Sequence, residues 1–489
     1  MSKKIIYSLV VCIIIVISFF TLSPNYHPEF NSDGAVIVLM TYYFNVPHDL
    51  YFWGQDRAGS LIPAFAQIFF RFLNFRPVTS VSLSYYFFLV LGFLSFSQLF
   101  KTYFSKIVFC IAWFLPFFLF SDLIWYTIGL QYCLIGISIF ILSKIREPIS
   151  KRIHRNNLLL ILLVSIIFLI TFWVSDLSII SILVLVIIFS LFELWKYASK
   201  TKIIYISSLT ISIILSFGVI HFLKRYCTVK TSQYESINTF NEMLNSLKII
   251  CKSIYNYLSF NSNDLMLSIC IYCIFIILLY FGYWTIKRKF SIDKYIFKWL
   301  IFLLCDLILI LSVLISSHWV YLNEMGRRYF ISTYISCSII ILLLVEHLTI
   351  NKKDLKRLKL FIVLTVVICA LSNEYHFKFV SPQTTKPIIK IVSEFKELGN
   401  IGLIAEYWNA YVSSASDPMY IKATPHDKDA VRNFKLVDEV FLQPNIYVIR
   451  DQWMEYFPDT LIQFNHVLLK NGNQISIANC MICKYTILK

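Results

Sequence analysis

Long apolar segments recur along most of this chain, and they restrict its fold more than any other feature of the sequence. Apolar runs of about 18 or more residues are long enough to cross a bilayer as α-helices. With 58% hydrophobic and only 15% charged residues, the chain does not have the composition of a soluble enzyme. The sequence therefore predicts a polytopic α-helical membrane protein.

About eleven transmembrane helices are predicted. In chain order they cover residues 5–22, 79–100, 107–121, 124–143, 158–175, 177–195, 203–222, 264–284, 296–317, 329–349 and 359–372. The first follows Lys3 and Lys4 and has the position of a signal peptide. Its apolar run is long and no small-residue cleavage site follows it, so we expect it to be retained as a membrane anchor.

Lysine and arginine are concentrated in alternate connections between these spans, at 101–106, 144–155, 196–202, 287–294 and 352–359. Because cytoplasmic loops of membrane proteins are enriched in these residues, we place these connections and the N-terminus in the cytoplasm. The net charge of +16 is then a topology signal, and no nucleic-acid partner is predicted. The remaining connections face outward, which in a bacterial inner membrane is the periplasm.

The predicted domains are a transmembrane domain over 1–372 and a small periplasmic α/β domain over 373–489. Two sizeable outer loops, 23–78 and 223–263, belong to the first domain. Within loop 23–78, the segment 61–75 is short and contains Arg71, but its apolar residues recur at helical spacing. This pattern favours a helix lying in the outer membrane interface, because another span would invert every later loop.

The C-terminal region contains the signals of a folded α/β domain. Residues 401–405 are predicted to form a strand, and 406–413 a helix or turn rich in aromatic residues. Asn471-Gly472 separates two strand-like runs, which is a hairpin signal.

The loop 23–78 contains the first candidate for a catalytic base. Charge is rare in this chain and costly near a bilayer, so charged residues there are functional candidates. Asp33, in NSDGAVIVLM, lies between Ser32 and Gly34, which leave its carboxylate accessible. Alternatively, Asp33 only caps the helix that follows. Asp56 and Arg57, in GQDRAGS, are the second candidates, as an auxiliary carboxylate and a ligand of phosphate or sugar, unless they only pair with each other.

A second group of charged residues lies in the turn HWVYLNEMGRR at the outer end of a late span. Arg327 and Arg328 follow Glu324 there, on the side where the positive-inside rule disfavours arginine. Because a guanidinium is a planar fork that fits a phosphate, we predict that these residues bind a lipid phosphate or substrate. The alternative is snorkelling toward headgroups. Asp122 and Asp176, in tight outward turns, line the same cavity or only end helices.

No metal site and no cofactor are predicted, although an assisting divalent metal is left open. Cys480 and Cys483 are three residues apart in a predicted strand, so their side chains point to opposite faces. Glu29, His48 and Asp49 are expected to be solvated loop residues, with contact to substrate as the alternative. Trp408 and Trp453 are expected in the core of the C-terminal domain; alternatively, they offer aromatic surfaces for a saccharide. Asp306 is an isolated intramembrane acid, for which a polar helix contact and a functional role are both open.

The chain lacks a glycine-rich nucleotide-binding loop, and its longest inward connection, 144–157, is short. A transferase that uses a nucleotide sugar normally has a soluble cytoplasmic domain, so a sugar donor here must be reached from the membrane or the outside. A polyprenyl-phosphate sugar meets that condition. Its transfer needs one carboxylate to deprotonate an acceptor hydroxyl and cations to stabilise the departing phosphate.

The layout resembles the membrane-embedded glycosyltransferases of the GT-C class. More narrowly, NSDGAVIVLMTYYF, GQDRAGSLIP and NEMGRRYF resemble the phage-encoded serotype-converting O-antigen glucosyltransferases. The resemblance implies undecaprenyl-phosphate glucose as donor, lipid-linked O-antigen in the periplasm as acceptor, and Asp33 as the family's acidic residue. It also implies modification of lipopolysaccharide, and a prophage that encodes a flippase and a donor synthase as functional partners.

Two other classes remain open at this point. An O-antigen polymerase or ligase also spans the membrane many times, but usually has a large catalytic loop between late spans. A lipid-linked sugar flippase is the alternative that is not an enzyme. It should show internal repeats and charges at mid-membrane, and Asp306 is the one clear intramembrane candidate in the sequence.

Overall fold

The computed structural model describes residues 2–145, 155–196, 200–227, 236–287, 290–380 and 388–488. Part of the predicted loop 223–263, residues 228–235, lies outside these ranges. Several basic residues of the predicted inward connections also lie outside the described residues, namely Arg146, Lys151, Arg152, Arg288 and Lys289.

Helices make up most of the described chain. The α-helices are α1 Lys3–Leu22, α2 Ser32–Tyr43, α3 Leu61–Gln67, α4 Pro77–Ser97, α5 Tyr103–Phe114, α6 Thr127–Ser143, α7 Arg155–Val174, α8 Ser178–Lys196, α9 Lys200–Leu223, α10 Phe240–Leu258, α11 Leu265–Ile286, α12 Lys294–Ser316, α13 His318–Leu322, α14 Ile331–His347, α15 Lys352–Tyr375, α16 Ile388–Val392, α17 Tyr407–Ser416 and α18 Phe434–Phe441.

The chain is a multi-pass α-helical membrane protein, as the sequence predicts. A helix occupies each of the eleven predicted spans. Within the described ranges, eight helices are long and apolar enough to cross a membrane, or nine if one bent pair is a single span. The first predicted anchor, α1, is among the eight. Helix α6 is shorter, with 17 residues.

The segment predicted as one span over 107–121 is not a straight helix, because it bends sharply. Helix α5 ends at Phe114, and a 3₁₀-helix, Phe118–Ile124, follows at an angle of 88°. Pro116 lies at the bend. A proline disfavours helical geometry in the residue before it and donates no backbone hydrogen bond, so α5 stops at this point. The bend brings Asp122, on the 3₁₀-helix, beside the short 3₁₀-helix Arg327–Phe330.

The opening outer loop folds into two helices. Asn31 caps α2, since its side chain accepts a hydrogen bond from the Gly34 N–H at 3.1 Å. The alternative in which Asp33 is the helix cap is therefore wrong, and Asp33 lies in the first turn of α2. The helix predicted over 61–75 is present as α3, which continues as a π-helix over Ile68–Phe72.

The C-terminal region is a small α/β domain, as predicted. Its strands are β1 Ile401–Ala405, β2 Ile421–Pro425, β3 Asn445–Ile449, β4 Thr460–Gln463, β5 His466–Lys470, β6 Ile475–Ile477 and β7 Cys480–Ile487. They form one mixed sheet in the order β2-β1-β3-β7-β5-β4, with β6 paired to β7. Strand β1 is parallel to both β2 and β3, whereas β7 is antiparallel to its neighbours.

The hairpin predicted at Asn471-Gly472 is wrong. Strands β5 and β6, on either side of it, both pair with β7 rather than with each other. The tight hairpins turn instead at Phe464-Asn465 and Ala478-Asn479, where all four residues have positive φ. Two consecutive residues with positive φ match the twist of the flanking strands, and this is why such turns connect antiparallel pairs.

The C-terminal domain is docked on the opening loop of the membrane domain. Helix α17 packs along α2, and the Ser32 hydroxyl lies 2.9 Å from the carbonyl oxygen of Tyr407 and 2.8 Å from that of Trp408. At the other end of α2, the Lys422 ammonium lies 2.9 Å from the Tyr43 hydroxyl and 3.0 Å from the Glu439 carboxylate. The first turns of α2 and α17 therefore meet.

We expect Ser32→Ala to destabilise this docking. The substitution removes the donor that two part-buried carbonyl oxygens share, and the loss of such a hydrogen bond costs about 0.5–1.5 kcal/mol. Thermal unfolding of the purified protein in detergent should show a lower midpoint. Ser253→Ala, on an exposed position of α10, is the matched control. Equal midpoints for both variants would show that the Ser32 contacts contribute no stability.

Candidate active site

A cavity of about 390 Å³ lies where α2, the opening loop and the C-terminal domain meet the ends of the membrane helices. Its walls come from α2, the loop 52–58, the turns at 125–128 and 175–177, the α12–α13 corner and the C-terminal domain. The charged side chains among its lining residues are Asp33, Arg57, Asp176, Arg328 and Arg432. These five side chains concentrate charge at one cavity in a chain in which only 15% of residues are charged.

Asp33 lies on the wall of this cavity, held from two sides. One carboxylate oxygen, Oδ2, is 3.3 Å from Arg328 Nη1, and the other, Oδ1, accepts a hydrogen bond from the Tyr407 hydroxyl at 3.2 Å. The Asp33 side chain remains 30% exposed. Its carboxylate is thus fixed in direction but still open to a molecule in the cavity.

Arg328 reaches Asp33 because the chain turns tightly just before it. Glu324 and Met325 both have positive φ, of 51° and 54°, and this reverses the chain between α13 and the 3₁₀-helix Arg327–Phe330. The Arg328 guanidinium then lies 5.9 Å from the centre of the Tyr126 ring. Aromatic rings and a carboxylate together hold the guanidinium in one orientation.

Tyr407 and Arg432 bring the C-terminal domain into the site, and sequence reasoning missed both. Arg432 Nε donates to the Tyr407 hydroxyl at 3.4 Å, and the Arg432 backbone N–H donates to the Tyr411 hydroxyl at 2.7 Å. Burial, with Asp33 nearby, raises the pKa of Tyr407 to about 12. Tyr407 therefore keeps its proton at neutral pH and donates it toward Asp33.

Arg57 enters the cavity from a loop that is anchored on α7. Trp173 Nε1, at the end of α7, donates to the Leu50 carbonyl at 2.7 Å. Gly59 lies so close that a Cβ atom there would come 2.2 Å from the Trp173 carbonyl oxygen, so only glycine fits. Asp56 is adjacent to Arg57 but does not line the cavity.

Asp176 lies on the opposite wall, in the turn between α7 and α8. It forms an ion pair with Lys224 at 2.6 Å, and burial raises the pKa of the Asp176 carboxyl. Asp176 thus lines the cavity. This is the first of the two alternatives that the sequence leaves open, the other being a residue that only ends a helix.

Three of the six predicted site residues therefore share the cavity: Asp33, Arg57 and Arg328. The other three are Asp56, Arg327 and Glu324. Glu324 is exposed and outside the cavity. The positions of these six residues do not establish what each does in catalysis, so their predicted roles stay predictions.

Arg327 belongs to a second cluster behind the cavity wall. Its guanidinium lies 4.3 Å from the centre of the Phe118 ring and 3.9 Å from the Glu29 carboxylate. Burial raises the pKa of Glu29, despite the opposing effect of Arg327. Asp122 is within electrostatic range of both Arg327 and Arg328, so it links the cluster to the cavity.

Two expectations about the opening loop need correction. Asp49 is buried and not solvated, because its carboxylate accepts hydrogen bonds at 2.7 Å from the Asn45 N–H and from Trp53 Nε1. These bonds fold the loop onto itself. Glu29 is half-buried beside Arg327, whereas His48 is exposed, as expected.

The expected core position of Trp408 is also wrong. Trp408 is 50% exposed and lines the cavity, whereas Trp453 is half-buried and stacks on His426. Within the described ranges, no group of three or more His, Cys, Asp or Glu residues is arranged to hold a metal ion.

We expect the buried His27, which is within electrostatic range of Arg327, to make the stability of the protein depend on pH. Burial, together with Arg327, lowers the pKa of His27 to about 3. Because the unfolded histidine takes up a proton near pH 6.5, the folded chain binds fewer protons below that pH, and the free energy of unfolding falls as pH drops. From pH 6.5 to pH 5 the loss is about 2 kcal/mol.

His27→Asn should reduce this loss, which thermal unfolding at pH 7.5 and pH 5 would measure. Asparagine keeps an acceptor for the Glu29 N–H, which lies 3.0 Å from His27 Nδ1. His48→Asn, at an exposed position of the same loop, is the control. The same pH dependence in His27→Asn and wild type would rule out His27 as the titrating group.

Comparisons with known proteins give only a general likeness. No protein-family model matches the chain, and a search of curated proteins finds no match. Among solved structures, the chain is similar to the oligosaccharyltransferase of Archaeoglobus fulgidus. Its apo form aligns with a TM-score of 0.46 and 11% identity, over 92% of this chain and 70% of that chain.

Two other structures of that protein align in the same way. The form tethered with an acceptor peptide containing the NVT sequon gives a TM-score of 0.45 and 11% identity, over 92% and 69% of the two chains. The complex with an inhibitory peptide and a dolichol-phosphate gives 0.44 and 11%, over 91% and 70%.

Proposed function

We propose that this chain is a membrane-embedded glycosyltransferase of the GT-C type. It transfers a glucosyl residue from undecaprenyl-phosphate glucose to a sugar of lipid-linked O-antigen, on the periplasmic side of a bacterial inner membrane. The observation that carries the proposal is one cavity in which the Asp33 carboxylate lies among the guanidinium groups of Arg57, Arg328 and Arg432.

The charge of the cavity supports a phosphate-bearing donor. Three arginines face two aspartates, and one of the two, Asp176, is already paired with Lys224. The remaining positive charge suits a sugar phosphate, since guanidinium groups bind phosphate oxygens through paired hydrogen bonds. The volume, about 390 Å³, falls within the range of small-molecule sites.

The position of the cavity supports a donor that is a lipid. It lies at the ends of α7, α8 and α12, three helices long and apolar enough to cross the membrane. Apolar side chains of the α12–α13 corner, Val313, Leu314 and Val320, form part of its wall. A polyprenyl chain can stay in the bilayer while its phosphate and sugar enter the cavity from the headgroup level.

The chemistry is a single displacement. An acceptor hydroxyl attacks the anomeric carbon of the glucosyl phosphate, Asp33 takes the hydroxyl proton, and the bond between the anomeric carbon and the phosphate oxygen breaks. The electron pair of that bond leaves with the lipid phosphate, whose increased negative charge the arginines stabilise. The hydrogen bond from Tyr407 orients the Asp33 carboxylate for this proton transfer.

The proposed role is modification of lipopolysaccharide that changes serotype. A donor synthase and a flippase, encoded beside it on a prophage, would supply the glucosyl lipid at the outer face. The alternative of a flippase has less support, because the buried Asp306 accepts a hydrogen bond from the Tyr132 hydroxyl at 2.5 Å and so serves as an internal helix contact.

The test is glucose transfer by the purified protein in lipid nanodiscs. Radiolabelled undecaprenyl-phosphate glucose and lipid-linked O-antigen are supplied together, and labelled acceptor and released undecaprenyl phosphate are measured. We expect the two products in equal amounts. No release of undecaprenyl phosphate would favour a flippase, and longer O-antigen chains without label would favour a polymerase.

A further inference from the structure

We infer that a crevice in the C-terminal domain, beside the cavity, binds the acceptor saccharide. The inference rests on the proposed function, since it names the second substrate of the same site. The crevice is formed by residues that follow β1, β2 and β3 within four positions: Glu406, Tyr407, Trp408, His426, Asp451 and Trp453.

The topology of the sheet places these residues together. Strands β2, β1 and β3 are neighbours and run parallel, so their carboxyl ends share one edge. Strand β2, the next in the chain, lies on one side of β1, and β3, which follows later, lies on the other side of β1. In open α/β sheets, ligands bind outside the carboxyl ends at such a switch point.

Asp451 closes the floor of the crevice. It accepts hydrogen bonds from the Glu406 N–H at 2.9 Å and from Asn409 Nδ2 at 2.6 Å, and this ties the ends of β3 and β1 together. His426 stacks on Trp453 with a centroid distance of 4.2 Å and an angle of 6° between the rings. The floor is therefore rigid and partly aromatic.

Two groups in the crevice are available to a saccharide. Trp408 is 50% exposed and lines the cavity that contains Asp33, so its ring can pack on the apolar face of a sugar. The half-buried Glu406 carboxylate accepts no hydrogen bond from any described residue and is free to accept sugar hydroxyls.

The Trp408 ring lies next to the residue that contacts Asp33. Tyr407, whose hydroxyl donates to Asp33, directly precedes Trp408 and directly follows Glu406. The centres of the Trp408 and Tyr407 rings are 5.2 Å apart, so a sugar ring packed on Trp408 lies close to the group that orients the proposed base. This order suits an acceptor whose hydroxyl must reach Asp33, while the donor phosphate binds the arginines.

The test measures equilibrium binding of a delipidated O-antigen repeat oligosaccharide to the full-length protein in nanodiscs. Saturation-transfer NMR is the readout of binding. We expect Trp408→Ala to weaken binding at least tenfold and Trp408→Phe to restore most of it. Glu406→Gln should weaken binding less, since it keeps one acceptor oxygen. Tyr420→Ala, 41% exposed at the opposite edge of the sheet, is the control and should bind like wild type.

Binding and transfer can fail separately. Asp33→Asn should still bind the oligosaccharide, because the crevice residues are unchanged, although glucose transfer falls by about 10²- to 10⁴-fold. A wild type that binds the oligosaccharide but does not transfer glucose would overturn the proposed function and leave the crevice as a saccharide site. Unchanged binding in Trp408→Ala, or no binding in wild type, would overturn the inference itself.

Discussion

Replacement of Asp33 by asparagine is expected to lower the rate of glucose transfer by about 10²- to 10⁴-fold, the usual contribution of a general base. Asparagine has nearly the same shape, and its oxygen can still accept the hydrogen bond from Tyr407 that Asp33 accepts at 3.2 Å. The variant therefore keeps the cavity but loses the proton acceptor. Transfer from radiolabelled undecaprenyl-phosphate glucose at saturating substrates measures the loss.

Two further variants make this result specific. Asp33→Glu keeps a carboxylate but moves it by one methylene group, so it should retain more activity than Asp33→Asn. Asp429→Asn makes the same chemical change at an exposed position of the C-terminal domain and should transfer glucose like wild type. Full activity in Asp33→Asn would exclude Asp33 as the base and make Asp56 the next candidate.

Replacement of Arg328 by glutamine is expected to lower kcat by about 10²- to 10³-fold, comparable to the loss of one donor to a developing oxyanion. The guanidinium lies 3.3 Å from Asp33 and lines the same cavity, so it can contact the phosphate that departs as the proton is taken. Because its charge matters most when the bond breaks, kcat should fall more than the KM for the donor rises.

The lysine variant separates charge from geometry. Arg328→Lys keeps the positive charge but loses the planar fork, so its activity should fall between those of Arg328→Gln and wild type. Arg357→Gln is the matched control, since the Arg357 side chain is 70% exposed at the start of α15. A kcat within threefold of wild type in Arg328→Gln would remove Arg328 from the reaction.

The helices of the membrane domain could be predicted because each depends on its own residues. Every predicted span contains a helix, and the strand predicted at 401–405 is present with the same bounds. The predictions that failed depend on contacts with residues that are distant in the sequence. Pro116 is visible in the sequence, but the direction of the bend depends on what packs against the 3₁₀-helix Phe118–Ile124.

The hairpin signal at Asn471-Gly472 failed for a related reason. A turn signal shows where a chain reverses, but it does not show which strand becomes the neighbour. Strand β7 lies between β3 and β5 and also pairs with β6. Strand β6, which the local pattern assigned to β5, is therefore paired with β7 instead.

The sequence by itself determined that the chain is a multi-pass membrane protein, and it singled out two residues that line the cavity, Asp33 and Arg328. Both stand out because a charge near a bilayer is costly and must have a reason to be kept. Only the tertiary structure decided that residues 295 positions apart meet at 3.3 Å. It also decided that Tyr407 and Arg432 complete the site.

The physical reason is that the free energy of placing a helix in the bilayer and the free energy of packing two elements together depend on different sets of residues. The preference of an apolar helix for a bilayer is a sum over its own residues, so it can be read along the chain. The contact of Asp33 with Tyr407 depends on how α17 packs against α2, and polar residues of a small α/β domain are common enough that neither Tyr407 nor Arg432 stands out in the sequence.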